Sequence, residues 1–337
     1  MGTTAAQSRR RGHHNRPVVD LVDGFLVSIA SAKPSRHTLA AYRRDVLGIS
    51  RRIAVGLGVG LEDLGLRDLT KSALRRAFAS WASDHAKASI LRAWSAWNAF
   101  WSYLVSEDLA EGNPMDGIAK PKRPRAPVKV IRGGDAIQRL LAAAAVPDPS
   151  ARSPWPERDL ALTATFAVTG LRLAEALGLS IGSFDGPAGE RRITVVGKGD
   201  KARAIPIYPQ LEQLIDRYLR SRAERFPDHR LDHPATPLFV DSRGRPLSRR
   251  QVQYRIERLY VRAGIRAHVP AGALVHALRH TFATSALQGG ANVLEVQQLL
   301  GHESLDTTKR YLEATANELR DAIKAHPAQV TLRNLVG

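Results

Sequence analysis

One short segment, residues 118–132, constrains the fold of this chain more than any other. It carries six basic side chains, three prolines and no acidic residue. Proline at this density opposes a helix and favours an extended linker, and the charge suits a phosphate backbone. Asn113-Pro114 ends the patterned block before it. A chain of 337 residues is long enough for two cores. The sequence therefore predicts two domains, residues 20–117 and 133–314.

The charge balance indicates a polyanionic partner. Lys and Arg number 50 against 32 Asp and Glu, a formal net charge of +18. No apolar stretch approaches the length of about 18 residues that spans a membrane, and the N-terminus lacks an apolar signal-peptide core. The chain has no cysteine, so disulfides and thiolate chemistry are excluded. We expect a cytoplasmic protein that binds nucleic acid and not membrane.

The first half is predicted to be helical. Residues 1–19 form a basic flexible tail, and four or five helices follow, one of them capped by Ser35 or Thr38. A later helix brings large apolar side chains to one face, which is typical of core packing: Leu91, Trp94, Trp97 and Trp101.

The second half is predicted to be mainly α with a small β-sheet. Alternating apolar residues at Ile193, Val195 and 204–207 flank a glycine-rich turn that contains Lys198, which indicates a hairpin. Residues 221–236 and 267–273 are charged or rich in Pro and Gly, and are expected to be surface loops.

His276-Ala-Leu-Arg279-His280 is the most informative segment. On a helix, positions 276, 279 and 280 share a face, so we expect a cationic face opposite a core face. A guanidinium fork and an imidazole suit a phosphate group. Two histidines at i, i+4 could instead bind zinc, but no Glu base lies between them and Arg279 would repel the ion. We expect no metal.

The segment downstream leads to a tyrosine. Asn292 and Glu295 resemble a capping box, Gly301 ends that helix, and His302 follows. A short segment capped by Asp306 then presents Tyr311. A tyrosine taken alone is usually a packed aromatic with a hydrated hydroxyl.

The combined pattern resembles the tyrosine recombinases of the phage integrase family, of the Xer type. Leu300-Gly-His302, Thr307-Thr308 and Tyr311 follow His-x-Leu-Arg-His-Thr, as in the C-terminal motifs of that family. Residues 169–177 resemble its first arginine box, although alanines stand where Ser and Leu are common. The resemblance implies a catalytic set: Arg172, Lys198, His276, Arg279, His302 and Tyr311.

The first half resembles the core-binding domain of Xer-type recombinases, on residues 35–45, 90–104, Asn113-Pro114 and Pro121-Lys122. It implies that two domains clamp a DNA duplex, with residues 118–132 as the basic linker. The residues expected to contact DNA are Lys120, Lys122, Arg123, Arg125, Arg43, Arg44 and Arg92.

The resemblance also implies a mechanism. Arg172 and Arg279 stabilise the charge that builds on the phosphate oxygens, and Tyr311 attacks. His276 assists its deprotonation, His302 hydrogen-bonds the phosphate, and Lys198 protonates the departing 5′ oxygen. Glu175 orients its neighbours. The 3′-phosphotyrosyl link conserves the bond energy, so no cofactor, ATP or metal is expected.

For assembly, the family implies a homotetramer on two specific DNA sites, with strands exchanged through a Holliday junction. Residues 315–337 are the segment expected to pass between protomers, and a paired recombinase or accessory protein is an open possibility. The outcome would be integration and excision, or dimer resolution.

Two alternatives stay open on the residues alone. A type IB topoisomerase-like nicking and closing enzyme would use the same nucleophile without a second DNA site. A non-enzymatic DNA-binding protein would need only the charge and the helices, and has no use for Tyr311 or Lys198 in these positions.

Overall fold

The chain divides into two compact units, Met1–Ala126 and Pro127–Gly337, so the division lies within the predicted linker. The computed structural model describes residues 16–32, 35–122, 129–197 and 202–301. In these ranges the fold is mainly α with one small β-sheet, which confirms the predicted fold class.

The first unit is built from helices around an aromatic core. Its α-helices in the described residues are α1 Val18–Ala30, α2 Arg36–Leu57, α3 Lys71–Asp84 and α4 Lys87–Ser106. On α4, Trp97 and Phe100 are fully buried and Trp101 is nearly so, which confirms the predicted core stripe for Trp97 and Trp101, while Leu91 is half-buried. Burying a side chain of this size contributes about 2 to 3 kcal/mol. Trp94 is half-buried, and its Nε1 donates to the carbonyl of Ile118 at 3.0 Å.

The caps of this unit match the prediction in part. Ser35 holds the N-cap position of α2 but makes no side-chain hydrogen bond there. Helix α4 ends at Ser106, before Asn113. The Asn113 side chain instead caps a 3₁₀ turn, Pro114–Gly117, by accepting from the backbone N–H of Met115 at 3.0 Å.

The second unit surrounds one central helix. Its helices are α5 Ala136–Ala145, α6 Pro156–Thr169, α7 Leu173–Leu177, α8 Pro209–Arg225, α9 Arg249–Arg262, α10 Leu274–Gln288 and α11 Val293–Leu300. Helix α6 is buried on most of its surface and packs against α5, α8 and α10. A helix that is buried on all sides belongs in a core. Its C-terminal end therefore lies in the interior of the unit, where Thr169 and Gly170 are buried, and Arg172 follows two residues later.

The sheet has three antiparallel strands in the order β1-β2-β3: β1 Phe184–Asp185, β2 Arg192–Val196 and β3 Ala202–Pro206. Ile193 pairs with Ile205, and both are buried. The predicted hairpin is thus confirmed, and β1 is an addition that two residues could not signal in the sequence.

The prediction that residues 221–236 and 267–273 form surface loops is partly wrong. Residues 221–225 complete α8. Arg222 is buried there, and its Nη1 donates to the carbonyls of Pro237 at 2.6 Å and Leu238 at 2.9 Å. These bonds satisfy a charged group away from water. In the second segment Val269 and Ala273 are buried.

The end of the predicted linker packs on the second unit. Ile131 is buried there, and its N–H donates to the Thr281 hydroxyl at 2.9 Å. The Lys129 ammonium donates to the carbonyl of Ala271 at 2.9 Å. Within the described ranges, no helix is long and apolar enough to cross a membrane.

Candidate active site

The turn between α6 and α7 positions Arg172 and Glu175. Gly170 ends α6 in the left-handed conformation, with φ of 61°. A Cβ on Gly170 would lie 2.4 Å from Phe282 Cδ1 and 2.9 Å from Leu300 Cδ2, so only glycine lets α10 and α11 approach. Arg172 is the N-cap of α7, and Glu175 Oε2 accepts its backbone N–H at 2.7 Å.

The Arg172 guanidinium lies at the edge of this site. Its Nη1 donates to Glu175 Oε1 at 2.7 Å, and its Nη2 donates to the carbonyl of Gly301 at 3.1 Å. The side chain is 37% exposed, whereas that of Glu175 is 6% exposed. Arg172 therefore offers a fixed cation to an anion that arrives from solvent.

Arg279 lies behind it, which corrects the expected open cationic face on α10. The residue is only 5% exposed, because the C-terminal end of α11 covers it. Its Nη1 donates to the carbonyl of Gly170 at 2.7 Å, and its Nη2 to that of Leu300 at 2.6 Å. Its charge is thus held in a medium of low polarisability, where it acts more strongly than in water.

A third arginine, Arg203 on β3, was not predicted. Its Nη1 and Nη2 donate to Glu175 Oε1 and Oε2 at 2.9 and 2.8 Å, and its Nε donates to the carbonyl of Leu299 at 2.8 Å. The signal in the sequence is strand alternation, since Arg203 shares a face of β3 with buried Ile205. A cation at an inward position requires a buried partner.

Three consecutive carbonyls at the end of α11 therefore accept hydrogen bonds from three arginines. Leu299 accepts from Arg203, Leu300 from Arg279 and Gly301 from Arg172. The last carbonyls of a helix have no partner within the helix and carry its negative dipole end. The predicted caps of α11 are confirmed, since Asn292 and Glu295 form the capping box and Gly301 is left-handed. The chain then continues to His302.

Glu175 stays ionised in this environment. Burial by itself raises the pKa of the carboxyl, but hydrogen bonds from Arg203 and Arg172 outweigh it and lower the pKa to about 2. Glu175 is thus an orienting carboxylate and not a proton donor near neutral pH.

His276 is biased toward its neutral form. Partial desolvation by the surrounding protein lowers its pKa even though the residue is exposed, and the positive charges of Arg279 and Arg172 lower it further. The residue lies on the exposed face of α10, with its ring centroid 6.5 Å from that of His280. In the part of the chain that the structure describes, no group of three or more His, Cys, Asp or Glu could hold a metal ion.

Family models and known relatives both match this chain. Residues 133–318 match the model of the phage integrase family, and residues 22–108 match that of the phage integrase N-terminal SAM-like domain. Tyrosine recombinase XerC of Myxococcus xanthus is 30% identical over 309 residues, which cover 91% of this chain and 97% of that protein. XerC of Rhodospirillum centenum is 36% identical over 298 residues, or 87% and 82% of the two chains.

The chain belongs to the phage integrase family. It is a tyrosine recombinase, a site-specific enzyme that cleaves and rejoins DNA. The two family matches, one in each half of the chain, confirm the predicted resemblance to the tyrosine recombinases.

Solved structures share the fold of this recombinase. XerH bound to a palindromic difH substrate, a post-cleavage complex, has a TM-score of 0.69 at 20% identity over 92% of this chain and 96% of that one. A λ integrase dimer bound to a COC′ core site has a TM-score of 0.66 at 18% identity over 91% and 80%.

Several residues predicted for the recombinase active site and DNA contacts lie outside the described residues: Lys198, His302, Tyr311, Arg123 and Arg125. Their roles stay predictions.

The remaining predicted DNA contacts differ in their surroundings. Arg92 forms a bidentate pair with buried Asp45, from Nε at 2.7 Å and Nη2 at 3.0 Å. Arg43 pairs with Asp23 on the surface, and Arg44 beside it is exposed. Lys120 is exposed with its Nζ 5.4 Å from the Trp94 ring centroid, and Lys122 is exposed.

Proposed function

We propose that this recombinase cleaves DNA with Tyr311, while the charges of Arg172 and Arg279 stabilise the scissile phosphate. The observation that carries the proposal is the convergence of both arginines on the C-terminal end of α11, which His302 follows directly. The solvent-exposed side of the Arg172 guanidinium contacts the phosphate. Arg279 adds a buried charge that strengthens the field on the oxygens as negative charge builds in the transition state.

The proton transfers follow from the pKa of each group. A phenol with a pKa near 10 needs a base or a positive field to attack at neutral pH. His276 suits that task, because its lowered pKa keeps it neutral and able to accept a proton. His302 hydrogen-bonds the phosphate, and Lys198 protonates the departing 5′ oxygen. The products are a 3′-phosphotyrosyl link and a 5′ hydroxyl, so the step needs no ATP and no metal ion.

We propose five parts for the chain. Residues 1–19 are a basic tail, residues 20–117 bind the core DNA site, and residues 118–132 are the basic linker, whose exposed cations face the phosphate backbone. Residues 133–314 are catalytic, and residues 315–337 pass to a neighbouring protomer. Arg44, Lys120 and Lys122 are exposed cations that support this assignment. The cytoplasmic location stays a prediction.

The proposed assembly is a homotetramer on two copies of one DNA site, which exchanges strands through a Holliday junction. A λ integrase tetramer bound to a Holliday junction has a TM-score of 0.65 with this chain at 18% identity. The XerC relatives favour an Xer-like system. Its proposed outcome is dimer resolution, or integration and excision of DNA, with or without a paired recombinase or accessory protein.

A two-step experiment separates recombination from simple relaxation. Covalent protein–DNA complexes are trapped on sheared DNA that includes the region around the gene, and the attached ends are sequenced to define the site. Two copies are then placed in a supercoiled plasmid. We expect deletion or inversion products, whose formation requires both copies. Relaxed circles without rearranged DNA would indicate a topoisomerase-like enzyme and contradict the proposal.

A further inference from the structure

Glu175 lies between two guanidinium groups. Its Oε1 accepts from Arg172 Nη1 at 2.7 Å and from Arg203 Nη1 at 2.9 Å. Its Oε2 accepts from the Arg172 backbone at 2.7 Å and from Arg203 Nη2 at 2.8 Å. The carboxylate therefore transmits the position of one arginine to the other.

Arg203 differs from Arg172 in exposure and in the use of its donors. Its side chain is 12% exposed, and each of its three guanidinium nitrogens donates to a partner within the protein. The Arg172 side chain, at 37%, faces solvent. Arg203 is thus placed to act on its neighbours and not on a bound phosphate.

Arg203 bonds one acceptor of the Arg172 guanidinium directly, and it also bonds the segment that carries the other. One is Glu175, and the other is the C-terminal end of α11, where Gly301 accepts from Arg172 at 3.1 Å and Leu299 accepts from Arg203 at 2.8 Å. The two arginines bracket this end of the helix. A shift of either acceptor would rotate the fork that Arg172 presents.

We propose that Arg203 is a positioning residue for DNA cleavage, which fixes the Arg172 guanidinium through Glu175 and the end of α11. The proposal rests on the role of Arg172 in binding the scissile phosphate. Lysine cannot replace Arg203 fully, because a planar fork can grip both carboxylate oxygens and a carbonyl at once, and an ammonium cannot hold that geometry.

The test exploits the charge of the scissile phosphate. Replacing one non-bridging oxygen by a methyl group gives a neutral methylphosphonate, whose transition state carries one negative charge less and therefore depends less on a correctly aimed guanidinium. Cleavage rate constants are measured on suicide substrates with either group, for the wild-type enzyme, Arg203→Gln, Arg203→Lys and Arg172→Ala. Arg192→Gln is the matched control, since Arg192 lies in the same hairpin and pairs with Asp185 on the surface.

We expect Arg203→Gln to slow phosphodiester cleavage by about 10²-fold, the effect typical of losing one aligned donor. Arg203→Lys should lose less. On the methylphosphonate, both variants and Arg172→Ala should come within a few-fold of wild type, and Arg192→Gln should match wild type on both substrates. Equal losses on the two substrates, or phosphodiester cleavage at the wild-type rate, would overturn the proposal.

Two measurements separate this role from a loss of folding and from failure of the proposed function. DNA affinity and the melting temperature show whether each variant is intact, and Arg203→Lys keeps the charge beside Glu175 if Arg203→Gln unfolds. If Arg172→Ala slows cleavage of both substrates equally, the role proposed for Arg172 is contradicted, and so is the role proposed for Arg203, which depends on it. If Arg172→Ala is rescued and Arg203→Lys is not, only the inference about Arg203 is wrong.

Discussion

Arg203 and Glu175 form a bidentate ion pair, with Nη1 2.9 Å from Oε1 and Nη2 2.8 Å from Oε2. The pair stands in the interior, with 12% and 6% of the two side chains exposed. Breaking one side of such a pair strands a buried charge. Glu175 therefore contributes to the stability of the second unit as well as to the site.

We predict that Glu175→Gln destabilises the protein at neutral pH and makes its acid unfolding less steep. The folded pKa of about 2 lies below the unfolded value of 4.5, so the ionised group stabilises the fold above pH 4.5. This contribution, about 3 kcal/mol, is lost as the pH falls from 4.5 toward 2. Urea unfolding of both proteins at several pH values measures it. A difference between them that does not shrink across this window would contradict the prediction.

We predict that Gly301→Ala is more destabilising than Gly272→Ala. Both glycines are left-handed, with φ of 62° and 67°, so both variants carry the same backbone strain of about 1 kcal/mol. A Cβ at Gly301 would also lie 2.9 Å from Arg203 Nη1, whereas one at Gly272 meets nothing within 4 Å. Thermal unfolding and cleavage rates should show the additional loss for Gly301→Ala only. Equal effects would mean that Arg203 moves aside freely.

The acid limb of the cleavage rate should lie below the usual histidine pKa of about 6.5. Partial desolvation and the nearby arginines lower the pKa of His276, so the imidazole becomes protonated only at lower pH. Above that pH it stays neutral and can accept the proton of the tyrosine. Arg249 also lowers this pKa. Arg249→Gln should therefore move the limb to higher pH, and Arg250→Gln should leave it in place. A limb that stays unchanged in Arg249→Gln and persists in His276→Ala would assign it to another group.

Two arginines of the first unit should give opposite phenotypes. Arg92→Ala leaves Asp45 buried without its bidentate partner, and because the Arg92 side chain is 38% exposed we expect a loss of about 1 to 3 kcal/mol of folding stability. Arg44→Ala removes an exposed cation, so we expect an unchanged melting temperature and a salt dependence of DNA binding whose logarithmic slope is smaller by about 1. Melting curves and salt titrations measure both. A normal salt slope in Arg44→Ala would remove Arg44 from the DNA contacts.

Local patterns in the sequence predicted the elements that depend on local chemistry. The capping box of Asn292 and Glu295, the left-handed Gly301 and the hairpin of β2 and β3 were all foreseeable, because each depends on residues a few positions apart. The order of motifs then indicated the family, which no single residue does.

Features that depend on distant contacts were not foreseeable. Helical periodicity placed Arg279 on a face with two histidines, but only the packing of α11 decides that it is buried. Arg203 and Arg222 resemble solvent-exposed cations in the sequence. Arg203 is largely shielded from solvent beside Glu175, and Arg222 is buried against the carbonyls of Pro237 and Leu238.

The most direct test of the central claim is covalent attachment to DNA by Tyr311. Wild-type protein and Tyr311→Phe are incubated with a suicide substrate that carries the mapped site, and adducts that disappear on protease treatment are counted on a denaturing gel. We predict that the wild type accumulates a 3′-linked adduct, while Tyr311→Phe binds the DNA with similar affinity and forms none. A protease-sensitive 3′ adduct formed by Tyr311→Phe would contradict the account.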